Sequence, residues 1–172
     1  MKNVVMIIAK NNFRDEEYLQ PKEILTKAKI NVTTASSSKE IAKGSLGATA
    51  KIDITVNEIE VKNYDAIIFV GGNGSSEYWE NEQAHNIAQE AVKQNKILAA
   101  ICIAPVTLAK AGVLKDKKAT VFESEIEEIK KYGAIYTGKN VEIDENIITA
   151  NGPQSAKEFG EKILSLINVI KQ

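Results

Sequence analysis

Apolar and polar positions along this chain follow two periods. Short unbroken apolar runs at 3–9 (NVVMIIA), 65–70 (DAIIFV) and 97–101 (ILAAI) have strand length, and 31–35 (NVTTA) is a more mixed run of the same kind; they read as strands of a parallel sheet. Between them the period lengthens to that of a helix. Residues 15–29 place Tyr18, Leu19, Ile24, Leu25 and Ala28 on an apolar stripe, 76–94 do so with Trp79, Ala84, Ile87, Ala88, Ala91 and Val92, and 155–170 with Ala156, Phe159, Ile163, Leu166, Ile167 and Ile170. Pro21 is expected in the first turn of its helix, which puts Glu17 at or just before the helix start. Residues 11–14 read as a polar loop and 51–56 (KIDITV) as a half-exposed strand, with Ser45, Gly47 and Ala48 making a tight crossing before it. Beyond Gly112 come short strands at 119–122, 134–136, 141–143 and 146–149, a charged helix at 125–131 and a turn at Asn151-Gly152-Pro153. Alternating strands and helices predict an α/β three-layer sandwich with a mostly parallel central sheet.

Length and composition fit one domain over residues 1–172: 44% of residues are hydrophobic, 26% are charged and the net charge is -1. That balance points to neither nucleic acid nor an anionic membrane surface. No apolar run approaches the roughly 20 residues that span a bilayer. A single cysteine cannot close an internal disulfide, so a cytoplasmic location is the expectation.

That cysteine, Cys102, falls between the 97–101 strand and a helix-like stretch at 103–109. Strand, cysteine, helix is the layout of a nucleophile elbow, and the amides of a helix start stabilise a thiolate there. The competing reading is a buried cysteine acting as a small hydrophobe. Gly71-Gly72-Asn73-Gly74 follows a buried strand and should share the sheet edge with Cys102, either as a donor of backbone amides to an anion or as a plain turn. Its spacing matches no dinucleotide or phosphate loop, so no nucleotide cofactor is inferred. Glu17 reaches the same edge; beside a thiolate its pKa would rise, whereas with Asp15 and Glu16 it could simply complement a helix start. His85, the one histidine, lies within a helical stretch away from these segments and reads as a surface residue. One cysteine and one distant histidine make no zinc site.

Taken together, VVMIIAKNNFRDEEYLQP, DAIIFVGGNG, KILAAICIAP, LKDKKAT and ITANGPQSAKEFGEKIL resemble the ThiJ/PfpI superfamily over nearly the whole chain. The resemblance implies a flavodoxin-like sandwich and a homodimer, with Cys102 as the elbow nucleophile and Glu17 as its carboxylate. It implies an oxyanion pocket from Gly72 and the Ile103 amide, beside Gly71 and Asn73, with Asn151-Gly152-Pro153 as the turn that closes the site. Peptidase-type members carry a histidine directly after the cysteine, where this chain has Ile103. The deglycase/chaperone branch often carries one downstream, where this chain has Phe122. The chain therefore resembles the deglycase/chaperone branch, without its imidazole. The expected function is a redox-responsive cysteine with glyoxalase- or deglycase-like activity on a small reactive carbonyl. A PfpI-type cysteine peptidase and a non-enzymatic chaperone or binding module are the alternatives.

Overall fold

The side chains of the buried strands alternate between two apolar faces, and the helices cover both. A computed structural model describes residues 1–170, so the last two positions of the expected 1–172 domain lie outside the described residues. In chain order the elements are β1 (Asn3–Ile7), β2 (Asn11–Phe13), α1 (Asp15–Lys27), β3 (Asn31–Ser36), β4 (Ala42–Gly44), β5 (Thr49–Ala50), β6 (Ile54–Thr55), β7 (Ala66–Phe69) and α2 (Glu82–Lys93). They continue with β8 (Ile97–Ile101), α3 (Pro105–Lys110), β9 (Lys118–Ala119), α4 (Ile126–Lys131), β10 (Ile135–Tyr136), β11 (Val141–Asp144), β12 (Ile147–Ala150) and α5 (Ala156–Val169).

Seven strands form the central sheet in the order β11-β12-β8-β7-β1-β3-β6, all parallel except β11. Val5, Ile67 and Leu98 project toward α2 and α3, while Val4, Ile68 and Ala99 project toward α1 and α5. The expected three-layer α/β sandwich is thus the observed one. Ile7 lies opposite Phe69, and Phe69 opposite Ala100, so the chain leaves β1, β7 and β8 side by side at one edge. That shared edge is where ligands collect in open parallel sheets.

Several local expectations are corrected by tertiary contacts. Residues 11–13 are a strand, not a loop: β2 pairs with β4, and β4 with β5, in a small separate sheet. Ser45 and Gly47 belong to the β4–β5 turn, where the buried Asp15 carboxyl accepts the Leu46 and Ala48 amides at 3.0 and 2.8 Å. Little of 51–56 is strand, because Asp53 exchanges backbone and side-chain bonds with Thr34 and a Thr55–Glu58 capping box starts a 3-10 turn. The 76–94 helix splits at Asn81, whose side chain caps α2 through the Ala84 amide at 2.8 Å. Strand β9 stops at Ala119 because the next amides are taken elsewhere, Thr120 N–H by Thr149 Oγ1 and Phe122 N–H by the Cys102 carbonyl. Leu19, Ala28 and Val92, expected on apolar stripes, are exposed.

Helix α1 begins before Pro21 can define its start. Arg14 N–H donates to the Gly71 carbonyl at 3.0 Å and the Arg14 carbonyl accepts Glu17 N–H at 3.1 Å, so the helix is already turning at Asp15. Pro21 therefore lies inside α1, and Glu17 is the third helical residue rather than a flanking one. The missing proline N–H leaves the Glu17 carbonyl without its helical donor. Helix α5 packs onto this point through Gly160, where a Cβ would come 2.9 Å from Pro21 Cα. Gly160→Ala is expected to force α1 and α5 apart and to cost about 1–3 kcal/mol of stability, read as a lower denaturant midpoint with an unchanged slope.

Candidate active site

At the end of β8 the chain turns through Cys102, which holds φ +65°, a left-handed conformation uncommon for a residue with a Cβ. The turn is held on every side. Cys102 N–H donates to the Ala150 carbonyl at 2.9 Å, and the Cys102 carbonyl accepts Phe122 N–H at 2.8 Å. The next carbonyl, of Ile103, accepts the Trp79 indole N–H at 3.2 Å. His85 Nε2 lies 2.7 Å from the Trp79 carbonyl, so the one imidazole serves this outer support, away from the sulfur.

Glu17 and Cys102 approach each other across Gly71. A Cβ on Gly71 would overlap Glu17 Oε1, the Ile101 carbonyl and Cys102 Cβ, so only glycine admits both side chains. Glu17 is fully buried, Cys102 is 8% exposed, and the described residues give neither Glu17 carboxyl oxygen a well-aligned hydrogen-bond partner. The Cys102 thiol and the Gly71 amide are the groups that face the carboxyl, close enough to act on its titration though not in ideal alignment. Burial pushes Glu17 up to about 8, against smaller opposing effects of Cys102 and Arg14. It therefore keeps its proton at neutral pH and has a hydrogen to offer the sulfur.

The thiol departs from expectation. Burial, then the Glu17 charge, pushes Cys102 well above its ordinary value, and the Gly72 and Ile103 amides that favour a thiolate are outweighed. Helix α3 is short and starts only at Pro105, so it offers the sulfur little beyond those two amides. The two acids form a pair in which either anion raises the cost of the other.

The other expected residues divide. Gly72 adopts φ +103°, with Arg14 N, the Asn12 carbonyl and Phe13 C filling the space of a Cβ, and its amide faces Sγ. Asn73, Ile103 and Pro153 line a cavity of about 240 Å³ with Cys102 and Glu17. Gly71 lies behind the cavity wall, and Gly152 packs against Phe122, 3.4 Å from a would-be Cβ to Cδ1. Asn151 does not reach the cavity; its side chain joins Ser155 at 2.6 Å and Asn140 at 3.2 Å. Arg14, Ser45, Leu46 and Ser124 complete the lining and were not expected there. Ser45 and Leu46 arrive on the small sheet, whose pairing has no local sequence signal. Arg14 had one, lying three residues before Glu17 and immediately before α1. Phe122, which stands where the resemblance placed a histidine, does enter the cavity. Among the described residues, no group of three or more His, Cys, Asp or Glu side chains could hold a metal ion.

Comparison with known proteins agrees with this geometry. The model of the DJ-1/PfpI family matches residues 2–166. An uncharacterized protein of Methanocaldococcus jannaschii is 42% identical over 172 residues, covering 97% of this chain and 84% of that one. The deglycase PfpI of Pyrococcus furiosus is 29% identical over 163 residues, covering 95% and 98%. A glutathione-independent glyoxalase of Caenorhabditis elegans is 26% identical over 166 residues, covering 96% and 89%. Among solved structures, a ThiJ/PfpI domain protein from Brachyspira murdochii superposes with a TM-score of 0.96 at 30% identity, over 98% of each chain. The resemblance carried by the strand, elbow and glycine-loop motifs is therefore one of descent, and the chain belongs to the DJ-1/PfpI family.

Proposed function

We propose that this protein is a cytoplasmic homodimer of oxidative and carbonyl stress, with glyoxalase- or deglycase-like activity on small 2-oxoaldehydes carried by Cys102 and Glu17. One observation carries the reading: a left-handed cysteine and a buried, otherwise unpartnered carboxyl meet at the floor of a cavity sized for a small molecule. Relatives named as a deglycase and a glyoxalase support it, as does the absence of an imidazole from the cavity lining, which counts against the peptidase reading.

The first proton lost is that of Glu17, and the reactive form is the minor tautomer of the singly deprotonated pair, in which the Cys102 proton has passed to Glu17 and left a thiolate. The sulfur attacks the aldehyde carbon, a C–S bond forms, and the carbonyl oxygen takes the Glu17 proton to give a hemithioacetal. The Glu17 carboxylate then removes the proton on that carbon and returns one to the neighbouring carbonyl carbon, while the hydroxyl proton moves to the adjacent oxygen. A 2-hydroxy thioester results. Water cleaves it to a 2-hydroxy acid and frees the thiol, so the net change is addition of water with no external oxidant. The Gly72 and Ile103 amides stabilise the anion on sulfur and on the attacked oxygen, Gly71 leaves room for Glu17 and Cys102 to meet, and Asn73 and Pro153 shape the space around them. The same pair suits stepwise oxidation by peroxide, in which Glu17 donates its hydrogen bond to the sulfinate product.

Because the thiol is pushed up by burial, turnover is expected to be slow at neutral pH and to rise through about pH 8, where the pair loses its first proton. Cys102→Ser is expected to lower 2-hydroxy acid formation from methylglyoxal by at least about 100-fold, and to abolish the two-oxygen mass gain on graded peroxide; lactate assay and intact mass read the two effects.

Glu17 also sets a stability profile. Its folded pKa of about 8 lies above its ordinary 4.5, so the folded state binds this proton more tightly. The contribution is fully present below about pH 4.5 and is lost as pH rises toward about 8, at no more than about 1.4 kcal/mol per pH unit. Glu17→Gln is expected to remove that slope from denaturant melts across the window, while also abolishing turnover. Phe122→His brings an imidazole into the cavity and is expected to raise kcat about tenfold or more at pH 7, measured with methylglyoxal.

A further inference from the structure

Arg14 lines the Cys102 cavity, and the reading above gives its guanidinium no role. Its side-on edge is occupied: Nε donates to Glu16 Oε1 at 2.8 Å and one terminal nitrogen to Glu16 Oε2 at 3.0 Å. A guanidinium has five N–H donors in a fixed plane, so this pairing leaves three of them, including the whole far edge. Among the described residues no other protein group accepts from them. Glu16 is drawn below the usual carboxylate range by the pairing, and so remains a charged clamp that holds the fork in place.

The surrounding chemistry matches an anion. The other groups with hydrogen-bonding side chains on the cavity wall are Ser45, Asn73 and Ser124, together with Glu17, which carries a proton at neutral pH. At neutral pH no ionised carboxylate lines the cavity to repel an acid, since Glu16 is not part of the lining. Arg14 also responds electrostatically to both Cys102 and Glu17, which sets it near the reacting atoms.

We infer that Arg14, clamped by Glu16, is a specificity-determining residue that favours small aldehydes carrying a carboxylate or similar anionic group over neutral 2-oxoaldehydes. The anion docks on the free edge of the guanidinium and the aldehyde carbon is presented to Sγ. This rests on the proposed reactivity of Cys102 and names a substrate class for that site.

Two alkylating agents of nearly equal size test it without requiring turnover. Iodoacetate is anionic and iodoacetamide neutral; in each case the Cys102 thiolate displaces iodide from the methylene carbon and the thiol proton goes to solvent. Second-order rates are measured by intact mass at one fixed pH of about 7, below the value near 8 at which Glu17 loses its proton, with glutathione as the unstructured thiol. The iodoacetate-to-iodoacetamide ratio for the protein is expected to exceed that of glutathione by about fivefold or more, and in Arg14→Gln to fall to within about twofold of it. A wild-type ratio equal to that of glutathione, or a raised ratio that Arg14→Gln leaves intact, overturns the assignment to Arg14 while leaving the reactive cysteine standing. Failure of both reagents to modify the folded protein, with full modification after denaturation, removes the reactive-cysteine reading and this inference together.

Discussion

The site depends on one backbone turn. Cys102 occupies a left-handed conformation at the mouth of a parallel sheet, and such a conformation costs on the order of 1–3 kcal/mol unless its surroundings hold it. Here they do. The Ala150 carbonyl takes the amide, the Phe122 amide takes the carbonyl, and the Trp79 indole secures the following peptide. Each contact comes from a different part of the chain. The strand end, the β9 connection and the segment before α2 must all be in place before the sulfur can face the cavity.

The same crowding sets the chemistry. Bringing a carboxyl to the sulfur required removing it from water, and burial raised the pKa of both groups. A protonated Glu17 beside a thiol is an arrangement for passing a proton between neighbours, and it makes a spontaneous thiolate scarce. The amides of Gly72 and Ile103 pull in the opposite direction and lose. In this protein the elbow therefore supplies direction and confinement more than acidity, whereas a helix N-terminus alone would have argued for an acidic thiol.

Much of the fold was legible in the chain because buried parallel strands leave a plain signal. Runs such as IIF at 67–69 and ILAAI at 97–101 have one workable placement, between two layers of helix. The site was legible to the extent that it hangs from those strands: Cys102 after β8, the glycines after β7 and Glu17 after β1. Short strands were poorly legible. Asn11–Phe13 carries no hydrophobic alternation and becomes a strand only because β4 lies beside it. Pro21 misled for a related reason, since the helix start was decided by Arg14 bonding to Gly71 rather than by the proline.

By itself, the order of apolar runs and glycines determined that three segments would leave one edge of a parallel sheet together, bringing one cysteine, one glutamate and a glycine loop near each other. That follows from local periodicity and from the side-by-side packing of successive strands. Only the tertiary structure decided how near, how dry and in whose company. Whether Glu17 would be buried without a partner, whether Phe122 would enter the cavity in place of an imidazole, and whether Arg14 would join its lining depended on distant contacts. Burial and charge at a point are sums over everything packed around it, and no stretch of sequence contains that sum.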